Sequence, residues 1–111
     1  MKKIFDINSL QSKIEKLKKM NKKIVLCHGV FDLLHIGHIK HLKKAKENGS
    51  KLFVTITSDK FVNKGPGKPV FNERLRAEAL ASLEDVDFVS INDSPTAINA
   101  IKIIKPDFYC K

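Results

Sequence analysis

The sequence predicts an α/β fold in which a parallel sheet lies between layers of helices, and three observations carry that prediction. Short apolar runs of strand length alternate with stretches whose apolar residues recur at three and four. The connection between the first two runs, Ile24 to Val30 and Leu52 to Thr57, is long enough for a crossover helix, which makes the pairing parallel and the crossover right-handed. With 111 residues, 42% of them apolar, the chain supports one compact core. The expected organisation is a single domain over residues 1–111, with an N-terminal helix over 8–20 and a core over 23–111.

Taken in order, Leu10, Ile14 and Leu17 form the apolar stripe of the first helix, and Asn8 or Ser9 is placed to cap it. Its lysines, Lys13, Lys16, Lys18 and Lys19, read as a solvated face, because no aromatic residues interleave with them as a nucleic-acid stripe would require. Ile24 to Val30 is apolar on both faces, the signature of a buried central strand. Gly37 to Glu47 reads as a helix with Ile39, Leu42 and Ala45 inward and Gly49 as its stop. The β-branched run Leu52 to Thr57 is the second strand.

From Ser58 to Val70, lysines, glycines and prolines (Lys60, Lys64, Gly65, Pro66, Gly67, Lys68, Pro69) make a basic loop. Asn72 then caps a helix carrying Leu75, Ala79, Leu80 and Leu83, and Val86 to Ile91 gives a third strand. Ser94-Pro95 opens a last helix with Ile98, Ile101 and Ile104 as its seam. Pro106 ends it, and Asp107 to Cys110 begins a fourth strand.

Charge and cysteine content narrow the function classes. Lys and Arg number 21 against 12 Asp and Glu, a formal charge of +9, which favours anionic partners: phosphates, nucleic acid or lipid head groups. The two cysteines, Cys27 and Cys110, lie in apolar runs and read as small buried hydrophobes, so a disulfide-stapled secreted fold is not expected. No stretch has the apolar length of a membrane span or a secretory leader, and a cytoplasmic location is the expectation.

The informative segment is Gly29-Val30-Phe31-Asp32-Leu33-Leu34-His35-Ile36-Gly37-His38, which runs from the end of the first strand into the following helix. Open α/β sheets bind ligands at the carboxyl ends of their strands, and a helix start there offers unpaired N–H groups to a phosphate. Two imidazoles three residues apart can converge on one phosphate group, and Gly29 and Gly37 permit close approach.

This segment resembles the Gly-x-Phe-Asp-x-x-His-x-Gly-His signature of the cytidylyltransferase-like nucleotidyltransferase superfamily. The likeness continues through Ala45, Ser58-Asp59, the Lys64 to Lys68 loop, the Arg76 helix and Val86-Asp87, and it looks closest to the glycerol-3-phosphate cytidylyltransferase and heptose-1-phosphate adenylyltransferase branches. The resemblance implies a Rossmann-like three-layer sandwich with the first strand central, the second and third on one side and the fourth on the other. It implies transfer of CMP or AMP from CTP or ATP to a small phosphorylated sugar or polyol, with release of pyrophosphate and with Mg²⁺ as cofactor. It also implies catalytic roles for His35, His38, Lys64 and Arg76, and nucleotide contacts from Gly29, Val30, Phe31, Asp32, Gly37 and Lys68. Asp32 would orient a histidine or help hold Mg²⁺. Family members commonly pair as homodimers. The family's later nucleotide-contacting segments would follow Lys111, so the sequence is expected to be truncated at its C-terminus.

Plainer readings stand beside these. Lys60, Lys64 and Lys68 could be solvated, Arg76 could pair with Glu73 or Asp87 at the surface, and Asp32 could cap its turn. His28 and His41 next to Cys27 suggest a transition-metal site, but the spacing lacks the paired Cys-x-x-Cys or His-Glu-x-x-His of such sites. His28 is placed to line the pocket from the strand end, and His41 reads as a solvated helix residue. A non-catalytic nucleotide-binding or regulatory module is the alternative from another class, and a basic nucleic-acid binder a more remote one.

Overall fold

Parallel pairing decides the architecture. The computed structural model describes residues 3–62 and 69–110. Its four strands are β1 (Ile24–Gly29), β2 (Lys51–Thr57), β3 (Phe88–Asn92) and β4 (Phe108–Cys110), in the order β3-β2-β1-β4 and all parallel. The order agrees with the one the family resemblance implies, with β1 between β2 and β4. The strand order therefore reverses beside β1, where the two directions of crossover leave a crevice at the carboxyl ends.

Side-chain alternation along the strands builds two cores. Val25 and Cys27 of β1, Leu52, Val54 and Ile56 of β2 and Val89 of β3 pack against α2 (Ile36–Lys46) and α3 (Glu73–Ala81). Ile24, Leu26 and Phe53 face the other way, onto α1 (Leu10–Lys19) and α4 (Ile98–Ile104). The result is the three-layer α/β sandwich. Among the described residues no helix is long and apolar enough to cross a membrane.

Local details depart from the sequence reading in four places. Ser9 stands at the start of α1 without a side-chain cap; Asp6 instead accepts from Asn8 N and caps a 3-10 turn, Ile7–Ser9, that leads into the helix. Gly49 does stand just past α2, but for reasons of space: a Cβ there would lie 2.9 Å from the Lys23 carbonyl oxygen and from Val25 Cγ2. On α3 the buried residues are Arg76, Ala77 and Leu80, while Leu75 is 49% exposed and Ala79 is exposed too. Asn72 caps this helix as expected, its Oδ1 accepting from Leu75 N at 2.9 Å. Helix α4 starts three residues after Pro95, because Asn92 Nδ2 donates to the Thr96 carbonyl at 2.8 Å and holds residues 93–96 in an open turn.

One pairing was not foreseen. Residues 3–5 lie along the outer edge of β3: Val89 N donates to Lys3 O at 2.9 Å and Phe5 N to Val89 O at 3.0 Å. That covers an edge which would otherwise present unpaired backbone groups.

Candidate functional site

The ten-residue motif folds as an interlocking set of close contacts at the carboxyl end of β1. Phe31 adopts a left-handed backbone (φ 53°), uncommon for a bulky residue, and its ring folds back over Gly29. A Cβ on Gly29 would lie 2.9 Å from Phe31 Cε2, so glycine is needed there. The Phe31 ring meets His38 edge-on, with centroids 5.6 Å apart. Phe31 thus serves as packing beneath the second histidine.

His35 and His38 cap α2 reciprocally. His35 Nδ1 accepts from Gly37 N at 3.0 Å, and His38 Nδ1 accepts from His35 N at 3.3 Å. A ring nitrogen that accepts an N–H carries no proton, so both neutral rings hold their hydrogen on Nε2 and have one donor to give outward. The rings lie 4.0 Å apart, centroid to centroid. Gly37 makes the arrangement possible, since a Cβ there would sit 2.7 Å from His35 Cε1. Partial burial, then the neighbouring His35 and His41, push the His38 pKa below the usual histidine value and favour the neutral ring.

Asp32 lines the same cavity as His38. Its Oδ2 accepts from Val70 N at 2.8 Å and its Oδ1 from Phe71 N at 2.9 Å, which anchors the return of the basic loop beside the histidines. Lys64 and Lys68 lie outside the described residues.

Arg76 occupies an unexpected place. Its side chain is fully buried, and it pairs with neither Glu73 nor Asp87. Nη1 donates to the carbonyls of Val30 (2.9 Å) and Thr57 (2.8 Å), Nε to Phe71 O (3.0 Å) and Nη2 to Asp59 Oδ1 (2.7 Å). The planar guanidinium thus ties together the ends of β1 and β2 and both flanks of the basic loop. Asp87 lies elsewhere, accepting from Lys46 Nζ and Leu52 N.

His28, one residue before the motif, is held by two hydroxyls of β2: Nδ1 lies 2.8 Å from Thr55 Oγ1 and Nε2 3.3 Å from Thr57 Oγ1. Burial lowers its pKa. A cavity of about 400 Å³ is lined by Cys27, His28, the segment Gly29 to Leu33, His38 and His41. His41 therefore borders the site one turn beyond His38, which its place on an exposed helix face did not suggest. The i, i+3 spacing from His38 is the sequence signal for this position.

A larger hollow, about 900 Å³, runs between the N-terminal segment and α3. Its acidic groups are already engaged: Asp6 with Asn8 N, Glu73 with Asp59 N and Asp93 with Ser58 Oγ. The smaller cavity has the motif's turn and the imidazoles of His28, His38 and His41, while His35 stands outside its lining. Among the described residues no three His, Cys, Asp or Glu side chains are grouped to hold a metal.

Comparison with known proteins shows the family. A family model described as cytidylyltransferase-like matches residues 26–111, which include the whole motif. The bifunctional protein HldE of a Nitratiruptor species is 44% identical over 110 residues, covering 97% of this chain and 24% of that protein. The HldE of Campylobacter jejuni (serotype O:2) is 45% identical over 107 residues, 95% of this chain and 23% of that one. This chain thus spans about a quarter of the length of these relatives. Among solved structures, the lipopolysaccharide core biosynthesis protein from Thermoplasma volcanium superposes with a TM-score of 0.73 at 31% identity, over 79% of this chain and 72% of that one.

Proposed function

Since the chain belongs to the cytidylyltransferase-like family of nucleotidyltransferases, we propose that it transfers a nucleotidyl group from ATP or CTP to a small phosphorylated sugar or polyol. The run of HldE relatives favours the adenylyltransferase branch, and hence AMP from ATP. A phosphate oxygen of the acceptor attacks the α-phosphorus, the bond to the bridging oxygen of the β-phosphate breaks, and pyrophosphate leaves. No enzyme nucleophile takes part, so catalysis is positioning and neutralisation of charge.

The observation that carries this reading is the reciprocal cap of His35 and His38. It holds two neutral imidazoles side by side with both Nε2–H groups left to donate to phosphate oxygens as charge develops on them. Gly29, Val30 and Gly37 contribute backbone and room for close approach, and Phe31 supports His38. We assign Lys64 and Lys68 to the outer phosphates, supported by the anchoring of the loop's return on Asp32. Arg76 is assigned to positioning: through Val30, Thr57, Phe71 and Asp59 it aligns the strand ends and the loop, and it acts without gripping a phosphate itself.

The donor set fits Mg²⁺ only as an ion carried in by the triphosphate. One carboxylate, Asp32, lies at the site, and Mg²⁺ bound with nucleotides takes most of its ligands from phosphate oxygens and water. Bound there, it would neutralise charge on the phosphates.

Pyrophosphate release by the intact protein, measured with ATP and CTP against a panel of sugar and polyol phosphates, tests the proposal. Turnover with one nucleotide and one acceptor class is expected. Tight nucleotide binding with no turnover on any acceptor would reassign the chain to a regulatory nucleotide-binding module.

A further inference from the structure

The chain's only two cysteines, Cys27 and Cys110, are direct register partners across the parallel β1–β4 pair. Neighbouring strands lie about 4.8 Å apart, within the Cα separations of roughly 4.4 to 6.8 Å that a disulfide spans. Both side chains enter the same layer, Cys27 inside the core facing α2 and α3 and Cys110 packed against it. The two thiols differ in access. Cys27 is 1% exposed, whereas Cys110 is only partly buried and is approached by Asn48 Nδ2 at 3.8 Å. Three register pairs join β4 to β1, and a covalent link between the strands would add to them.

We propose that Cys27 and Cys110 form a thiol modification site, which low-molecular-weight disulfides convert into an intrachain disulfide that staples β4 to β1. The Cys110 thiolate attacks glutathione disulfide, forms a mixed disulfide and expels one glutathione thiolate. Cys27 then loses its proton to solvent, and its thiolate attacks Cys110 Sγ and expels the second glutathione. Two protein thiols are oxidised and one glutathione disulfide is reduced to two glutathione molecules. Burial and the neighbouring Cys110 push the Cys27 pKa up to about 12, so the second step is the slow one. This inference is independent of the nucleotidyl-transfer reading.

The test is native-state incubation of the reduced chain with glutathione disulfide, followed by intact mass, with a urea-unfolded sample as control for the oxidant. The wild type should end two hydrogen atoms lighter with no adduct, and Cys27→Ala should stop at a single glutathione adduct on Cys110. Cys110→Ser should remain unmodified while folded. The oxidised wild type should unfold about 5 °C or more above the reduced form, and amide exchange should slow at residues 108–110. A wild type that retains the adduct, that stays reduced while the unfolded control oxidises, or that loses thermal stability on oxidation would overturn the proposal.

Discussion

The histidine turn and the Arg76 pocket are adjacent and both derive from segments resembling one family's pattern, yet they are built on opposite principles. At the turn, His35 is exposed and each ring uses one nitrogen to cap the helix, leaving the other to face outward. At Arg76, four donor contacts are made to protein oxygens and none of the side chain is exposed. The difference teaches that a cationic residue of the motif pattern can be spent entirely on protein partners. Under the proposed function the histidines meet the ligand, and Arg76 holds the strand ends on which they sit.

The comparison breaks most visibly if Arg76 is removed. Arg76→Ala leaves the carbonyls of Val30 and Thr57 without their donor, and a loss of about 3 to 5 kcal/mol in stability is expected by urea unfolding. Arg76→Lys should recover little, since one ammonium cannot reach four acceptors spread around a planar fork. Unchanged stability combined with lost turnover would return Arg76 to the phosphate.

His35→Ala and His38→Ala should do the reverse. Turnover should fall by about 10²- to 10³-fold, whereas the lost cap costs only about 1 kcal/mol. Activity within a few-fold of wild type for both, by pyrophosphate release, would remove these residues from the chemistry.

Gly37→Ala sharpens the contrast. The new Cβ would displace the His35 ring from its cap, so we expect turnover to drop by about ten- to a hundredfold, with little change in thermal unfolding. Wild-type rates would mean that the ring position does not matter.

The smallest effect is on pH. The folded-state pKa of His38 lies below its usual 6.5, so between the two values the unfolded chain binds more protons and stability rises with pH. The contribution is fully present above about pH 6.5 and is lost as pH falls through the folded value. Protonation of Nδ1 also breaks the cap, so nitrogen NMR should find both rings with the proton on Nε2 at neutral pH and α2 fraying at its first turn in acid. A proton found on Nδ1 at neutral pH would contradict the cap.

Much of this was legible in the residues because it rests on local relationships. The strands of a parallel sheet are apolar on both faces, and the Gly-x-Phe-Asp-x-x-His-x-Gly-His spacing reflects contacts among residues within ten positions. The inward face of α3 was not legible. Counting apolar side chains favours Leu75 and Ala79, but the helix turns Arg76 and Ala77 inward, since partners for the guanidinium come from β1 and β2. Pro95 likewise signals a helix start that the Asn92–Thr96 hydrogen bond postpones.

By itself the sequence determined the element order, the parallel sheet and the turn on which the histidines stand, all consequences of periodicity, crossover length and glycine placement. Only the tertiary structure decided that Arg76 is buried, that Asp32 anchors the loop's return and that His41 borders the cavity. Those outcomes depend on backbone groups brought together from distant parts of the chain. A buried polar group takes its role from the partners that satisfy it, and no local pattern specifies partners some 20 to 50 residues away.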